Sequence, residues 1–212
     1  MPDATGTDFE QQARNQRVVP VLTIGDADIL PPLIEALRAG GATCIEVTLR
    51  TAEALEHIRW ITRHHPDLCV GAGTVLNAGQ WAAAEAAGAR FIVSPCATPA
   101  LYAHAAAATL PWVPGVQTAS EIAVALEAGY RTLKFFPAEP AGGARLLAGL
   151  APVFPEARFC PTGGIDSGNC ADYLTLASVS WVAGSWLTPP ALVATAQWSA
   201  IVDRVRAACA PR

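Results

Sequence analysis

From residue 18 onward the chain alternates short apolar runs with longer amphipathic or alanine-rich stretches. The runs are rich in β-branched residues and start near Val18, Cys44, Cys69, Phe91, Pro111, Thr132, Arg158 and Val179, a pattern that predicts eight strands. The starts lie about 20 to 26 residues apart, enough for one strand, one helix and two short loops. The intervening stretches carry helix end signals. Gly40-Gly41, Gly88 and Gly129 each close a helical run and precede a strand, as C-terminal caps do. Asn77, then Thr118 or Ser120, then Ser167 or Asn169 stand where N-terminal caps belong, with Glu121 in the first turn after Thr118. Pro31-Pro32 fits only the first turn of a helix beginning near Leu30. Ala191 to Ala208 predicts a final helix with Trp198, Ile201, Val202 and Val205 on one face. Residues 1–17 are polar and predict at most a short surface helix over Asp8 to Arg17, away from any site.

Eight strands alternating with helices leave no room for a second domain. They predict a single-domain α/β fold, a (β/α)8 TIM barrel over residues 18–212, preceded by the short N-terminal segment or helix of residues 1–17. The alternative is an open doubly wound sheet. It is disfavoured because Val18 to Ile24 runs into Gly25-Asp26-Ala27 rather than a Gly-x-Gly-x-x-Gly turn. Gly71-Ala72-Gly73, placed after the third strand, lacks the third glycine.

Composition narrows the function. The 212 residues are 52% hydrophobic and 15% charged, which supports one sizeable core and excludes disorder. A net charge of -4 argues against a nucleic-acid or anionic-membrane partner. The six cysteines show no Cys-x-x-Cys pair and no zinc-site spacing, and read as mostly buried thiols in a reducing cytosol. The N-terminal stretch lacks the basic and apolar regions of a secretory signal, and no apolar run is long enough to span a bilayer. A cytoplasmic protein handling small molecules is expected.

The chain has thirteen arginines and one lysine, Lys134, inside the apolar run Thr132-Leu133-Lys134-Phe135-Phe136-Pro137. Burial of an ammonium favours the free amine, and a free amine attacks carbonyls, which a guanidinium cannot do. An edge-strand lysine that snorkels to water is the bland alternative, and a closed barrel has no edge to offer it. In a barrel the working groups gather at the carboxyl ends of the strands. The second strand carries Glu46, Thr48 and Arg50 on one face by alternation, either as active groups or as a structural Glu46–Arg50 ion pair. The third supplies Thr74 after small residues that let a ligand approach the backbone. The fourth supplies Ser94-Pro95-Cys96, and Phe136 follows Lys134 on the same side. Pro161-Thr162-Gly163-Gly164 and Ala183-Gly184-Ser185 follow the seventh and eighth strands, where barrels bind phosphate or simply turn on glycine. The histidines are isolated, apart from His64-His65 at the end of a surface helix, so no metal site is expected. The six tryptophans read as packing.

The runs Val18-Val19-Pro20-Val21, Glu46-Val47-Thr48-Leu49-Arg50, Gly71-Ala72-Gly73-Thr74-Val75-Leu76-Asn77, Lys134-Phe135-Phe136-Pro137-Ala138-Glu139 and Phe159-Cys160-Pro161-Thr162-Gly163-Gly164-Ile165 closely resemble the 2-keto-3-deoxy-6-phosphogluconate (KDPG) and 4-hydroxy-2-oxoglutarate aldolases over residues 18–190. The resemblance implies a trimeric class I aldolase on a (β/α)8 barrel, needing no metal or cofactor, that splits the phosphorylated sugar acid into pyruvate and glyceraldehyde 3-phosphate. It implies Lys134 as the Schiff-base lysine and Glu46 as the general acid and base. Arg50, Thr74 and Pro95 would hold the pyruvate carboxylate, Thr162 the substrate hydroxyls, and Gly163, Gly164, Gly184 and Ser185 the phosphate, with Phe136 and Cys96 as pocket walls. The sequence departs from the family pattern at Cys96, Gln117 and Ala183. Related readings are the 6-phosphogalactonate epimer as substrate, a lysine enzyme holding pyridoxal phosphate, and a non-catalytic barrel that binds a phosphorylated metabolite.

Overall fold

The computed structural model describes residues 8–209, so the first part of the 1–17 segment lies outside the described residues. Helix α1 (Asp8–Gln16) leads into β1 (Val18–Leu22), α2 (Leu30–Ala39), β2 (Cys44–Thr48), α3 (Ala54–His64) and β3 (Cys69–Gly73). Next come α4 (Ala78–Ala86), β4 (Phe91–Val93), α5 (Pro99–Ala105), β5 (Trp112–Val113), β6 (Gly115–Val116), α6 (Ala119–Glu127) and β7 (Thr132–Phe135). The chain continues with α7 (Ala138–Ala141), α8 (Gly143–Leu150), β8 (Arg158–Pro161), α9 (Cys170–Leu174), β9 (Val182–Gly184), α10 (Pro190–Ala194) and α11 (Trp198–Cys209). Every ladder is parallel. One sheet runs β5-β4-β3-β2-β1-β9 and a second runs β6-β7-β8. Only Pro114, which has no N–H to give a ladder, separates β5 from β6, and isolated parallel bridges Phe159↔Val179 and Thr162↔Ala183 join β8 to the β9 segment. The result is an α/β fold whose parallel sheet curls round on itself.

Strand alternation sorts the side chains into two apolar clusters. Ile45, Val47, Val70, Ala72, Ile92, Leu133 and Phe135 face the helices, in the larger cluster. Val19, Val21, Cys44, Cys69, Phe91, Val93, Val113, Cys160, Trp181 and Ala183 face inward, and Glu46, Lys134 and Thr162 share their strand parity. The sheet interior is therefore a packed, mostly apolar core that carries a few polar groups near its carboxyl end.

Capping largely follows the sequence. Asn77 accepts from the Gln80 amide, Thr118 and Glu121 form a capping box, and Gly41, Gly88 and Gly129 take positive φ after their helices. Asn169 stands at the start of α9, but its Oδ1 accepts from Asp166 N instead of capping the helix.

Four expectations need correction. Helix α1 is not a surface helix: Phe9, Ala13 and Gln16, spaced for one helical face, are buried, and Phe9 stacks on Phe91 at 4.5 Å and meets Trp181 edge-on. Gln16 fixes it there, donating to Val18 O and Cys44 O and accepting from Thr43 N and Cys44 N. A polar composition hid this plug. The final helix is two helices, because Ala196 takes φ 51 and the Ala196 N–H to Val193 O and Gln197 N–H to Leu192 O bonds close α10 in a Schellman-type turn. The last strand starts at Val182, with Val179 contributing only a bridge. Gly71-Ala72-Gly73 belongs to β3 itself rather than to the loop after it.

Candidate active site

Inward parity on β7 sends Lys134 into the interior, where it is 4% exposed. Its Nζ donates to Glu46 Oε1 at 3.2 Å, from β2 in the other sheet. The Lys134 Cα is in register with Gly115 on β6 and Cys160 on β8. Burial pushes the Cys160 thiol well up, so it lines the lysine as a neutral wall. Phe136 stands with its ring centroid 5.5 Å from Nζ. An amine and a carboxylate that touch each other in a buried interior can pass a proton back and forth, and the amine can attack a carbonyl brought to it. The snorkelling lysine and the Glu46–Arg50 ion pair are both absent: Glu46 pairs with Lys134, and Arg50 lies exposed in the turn after β2 with no ion pair among the described residues.

Gly73 explains how Glu46 fits. A Cβ built on it would meet Glu46 Oε1 at 2.1 Å and Cγ at 2.7 Å. The space that the sequence suggested for a ligand is thus filled by the carboxylate. Gly73→Ala should displace Glu46 from Lys134 and lower kcat by roughly 10²-fold or more, approaching the loss of a general base. Steady-state kinetics beside a thermal melt check this, and a variant with normal kcat would show that Glu46 tolerates the shift.

The other predicted residues ring the carboxyl end of the strands. Thr48 is spent on structure: its Oγ1 bonds Leu22 O and the Thr23 hydroxyl, tying β1 to β2. Thr74 has φ 61, a left-handed conformation unusual for a β-branched residue and held by Leu49 N–H to Gly73 O and Val75 N–H to Val93 O. Ser94 Oγ accepts from Trp112 Nε1 at 2.9 Å, steadying half-buried Pro95 and exposed Cys96. Thr162 is buried beside the interior, while Gly163 and Gly164 follow with φ 99 and 78. Gly184 packs against the Trp186 ring, Ser185 is exposed, Ala183 lies in the inner cluster, and Gln117 is exposed just before the α6 capping box.

A groove of about 480 Å³ opens beside Ser185, between the β1–α2 loop and α10, and includes Thr23, Asp26 and Thr188. It does not reach Lys134. A small cavity of about 10 Å³ lies between the α1 plug and Glu46, bordered by Phe9, Cys160 and Thr162. Among the described residues no cluster of His, Cys, Asp and Glu could hold a metal ion. His57 and His65 are buried, the latter against the expectation of a surface pair, and burial lowers the His57 pKa. Trp81, Trp112 and Trp181 are buried in the core, the other three tryptophans half-buried.

Sequence reasoning missed the Ser94–Trp112 bond, the Thr23–Thr48 tie and the hydrogen bond from buried Tyr173 to exposed Glu139. None carries a local signal, since each joins residues far apart in the chain. The α1 plug does carry one, the 9, 13, 16 spacing.

The family described as KDPG and KHG aldolase matches residues 9–204. The 2-dehydro-3-deoxy-phosphogluconate aldolase of Pseudomonas aeruginosa is 47% identical over 189 residues, covering 89% of this chain and 86% of the relative. The KHG/KDPG aldolase of Escherichia coli K12 is 43% identical over 191 residues, covering 90% of each. The crystal structure of KDPG aldolase from Legionella pneumophila, with pyruvate captured as a covalent carbinolamine, superposes with a TM-score of 0.93 at 40% identity, covering 96% of this chain and 99% of that one.

Proposed function

The chain belongs to the KDPG and KHG aldolase family, and on that premise we propose that Lys134 is its Schiff-base lysine and Glu46 the acid and base that serves it. The protein is a metal-independent class I aldolase, a carbon-carbon lyase that cleaves 2-keto-3-deoxy-6-phosphogluconate to pyruvate and D-glyceraldehyde 3-phosphate, the carbon-carbon cleavage of Entner-Doudoroff type sugar-acid catabolism. Its activity extends to 4-hydroxy-2-oxoglutarate, giving pyruvate and glyoxylate. The observation that carries the reading is the 3.2 Å contact between the only lysine of the chain and a buried carboxylate.

The Lys134 amine attacks the C2 carbonyl, and loss of water from the carbinolamine leaves a protonated imine. Glu46 takes the proton from the C4 hydroxyl, the C3–C4 bond breaks, and its electron pair flows into the imine to give an enamine while the aldehyde departs. Glu46 returns a proton to C3. Water then hydrolyses the imine, which releases pyruvate and restores the amine. Arg50, Thr74 and Pro95 hold the carboxylate, the Arg50 fork making no ion pair among the described residues. Thr162 faces the hydroxyls, Gly163, Gly164, Gly184 and Ser185 hold the phosphate, and Phe136 and Cys96 wall the pocket.

We read the two sheets as one (β/α)8 barrel of residues 18–212, with β5 and β6 a single strand broken at Pro114 and the two bridges closing β8 on β9. The enzyme is a cytoplasmic homotrimer in this reading, so a sedimentation mass of three chains is expected.

Borohydride in the presence of pyruvate should add one reduced pyruvate to the protein, and Lys134 is the only lysine that can carry it. A folded protein that gains no such mass overturns the reading.

A further inference from the structure

The Gly163–Gly164 turn is held from one side by the segment 136–140, in which Glu139 makes the nearest approach to Gly164. The Glu139 N–H donates to Gly163 O at 3.0 Å, next to the Ala138 N–H bond to Thr162 O. The Glu139 side chain then runs beneath Gly164, where an added Cβ would come 2.6 Å from Glu139 Cβ. On the other side, Asn169 Nδ2 donates to Gly164 O at 3.1 Å. Glu139 thus carries its carboxylate on a stem that packs against a turn with two successive glycines at positive φ, the kind of backbone that offers amides to an anion. A free carboxylate there competes for those amides and repels a dianionic phosphate. What restrains it is Tyr173, a fully buried phenol on α9 whose hydroxyl donates to Glu139 Oε1. Burial, together with that carboxylate, pushes the Tyr173 phenol well above its usual range, so it remains a donor at any working pH.

We infer that Tyr173 is a positioning residue for phosphate recognition: by pinning the Glu139 carboxylate away from the Gly163–Gly164 amides, it keeps the turn open to the phosphate end of the substrate. This rests on the reading of that turn as the phosphate site. It predicts an effect confined to phosphorylated substrates, because Lys134 and Glu46 lie in the interior and do not contact Glu139 or Tyr173.

The test uses the full-length enzyme with two substrates, the 6-phosphorylated sugar acid and unphosphorylated 4-hydroxy-2-oxoglutarate. Tyr173→Phe should raise KM for the phosphorylated substrate about tenfold, the scale of one hydrogen bond to a charged group, with kcat and all constants for 4-hydroxy-2-oxoglutarate unchanged. Glu139→Asp, at an exposed position, is too short to reach Tyr173 while keeping its charge, and should raise the same KM. Glu139→Gln in the Tyr173→Phe background removes the charge and should restore KM toward the parent value. Unchanged KM in both single variants, equal losses on both substrates, or no rescue by Glu139→Gln would each overturn the inference. Pyruvate trapping on Lys134 reports separately on the aldolase reading, since it involves no phosphate.

Discussion

Lys134→Met should abolish turnover, by roughly 10⁴-fold or more, and eliminate the borohydride-trapped pyruvate adduct. Methionine has nearly the length and volume of lysine and no nucleophile, so the pocket keeps its shape and loses only its chemistry. No other lysine can substitute, because the chain contains none. The same change removes one member of a buried ion pair whose side chains are 6% and 3% exposed, and leaves the Glu46 carboxylate among Cys160, Val93 and Phe91 with no cation. Breaking such a pair costs about 3–5 kcal/mol, whereas replacing both members with neutral groups costs far less. The Lys134→Met single variant should therefore melt well below the parent, and the Lys134→Met, Glu46→Gln double variant should recover most of the loss while staying inactive. Comparing the two melts separates the structural contribution of the pair from its catalytic one. Residual turnover in the single variant, at more than about a hundredth of the parent rate, would show that the carbonyl is not activated through this amine.

The contrast between Lys134 and Arg50 shows what the sequence makes legible. Lys134 is readable because composition isolates it and strand parity aims it; both are local facts, and the interior position follows from them. Arg50 is placed by the same alternation, but β2 stops at Thr48 and the side chain leaves from a turn, so parity no longer governs its direction. Glycines divide in the same way. The positive φ of Gly41, Gly88 and Gly129 follows from their position after helices, but Gly73 is needed because a side chain 27 residues earlier occupies its Cβ space. Only the packed structure displays such pairings. The α1 plug sits between these cases. The spacing of Phe9, Ala13 and Gln16 marks a buried stripe, but its partners Phe91, Trp181 and the Cys44 backbone lie on three other strands or segments, so the sequence gives the face without saying what it covers.

Glu46→Gln should lower kcat by roughly 10²- to 10⁴-fold, the range for loss of a positioned general acid or base, with KM little changed. The amide is isosteric with the carboxylate, so it fits the space left by Gly73 and its oxygen can still accept from Lys134 Nζ. It cannot carry a proton. If one group serves both the C4 hydroxyl and the enamine carbon, two separate measurements must fall together: turnover of the phosphorylated sugar acid, and exchange of the pyruvate methyl hydrogens in deuterated water, read as loss of the methyl proton signal. The second reaction contains no aldehyde and no phosphate, so it isolates proton transfer at C3 from binding at the far end of the pocket. Borohydride trapping should persist at a reduced rate, since the amine remains in place. If methyl exchange proceeds at the parental rate while cleavage is lost, Glu46 acts only at the C4 hydroxyl and a different group protonates the enamine. The buried 3.2 Å contact with Lys134 argues for the single-base outcome, because the enamine grows directly on the atom that Glu46 touches.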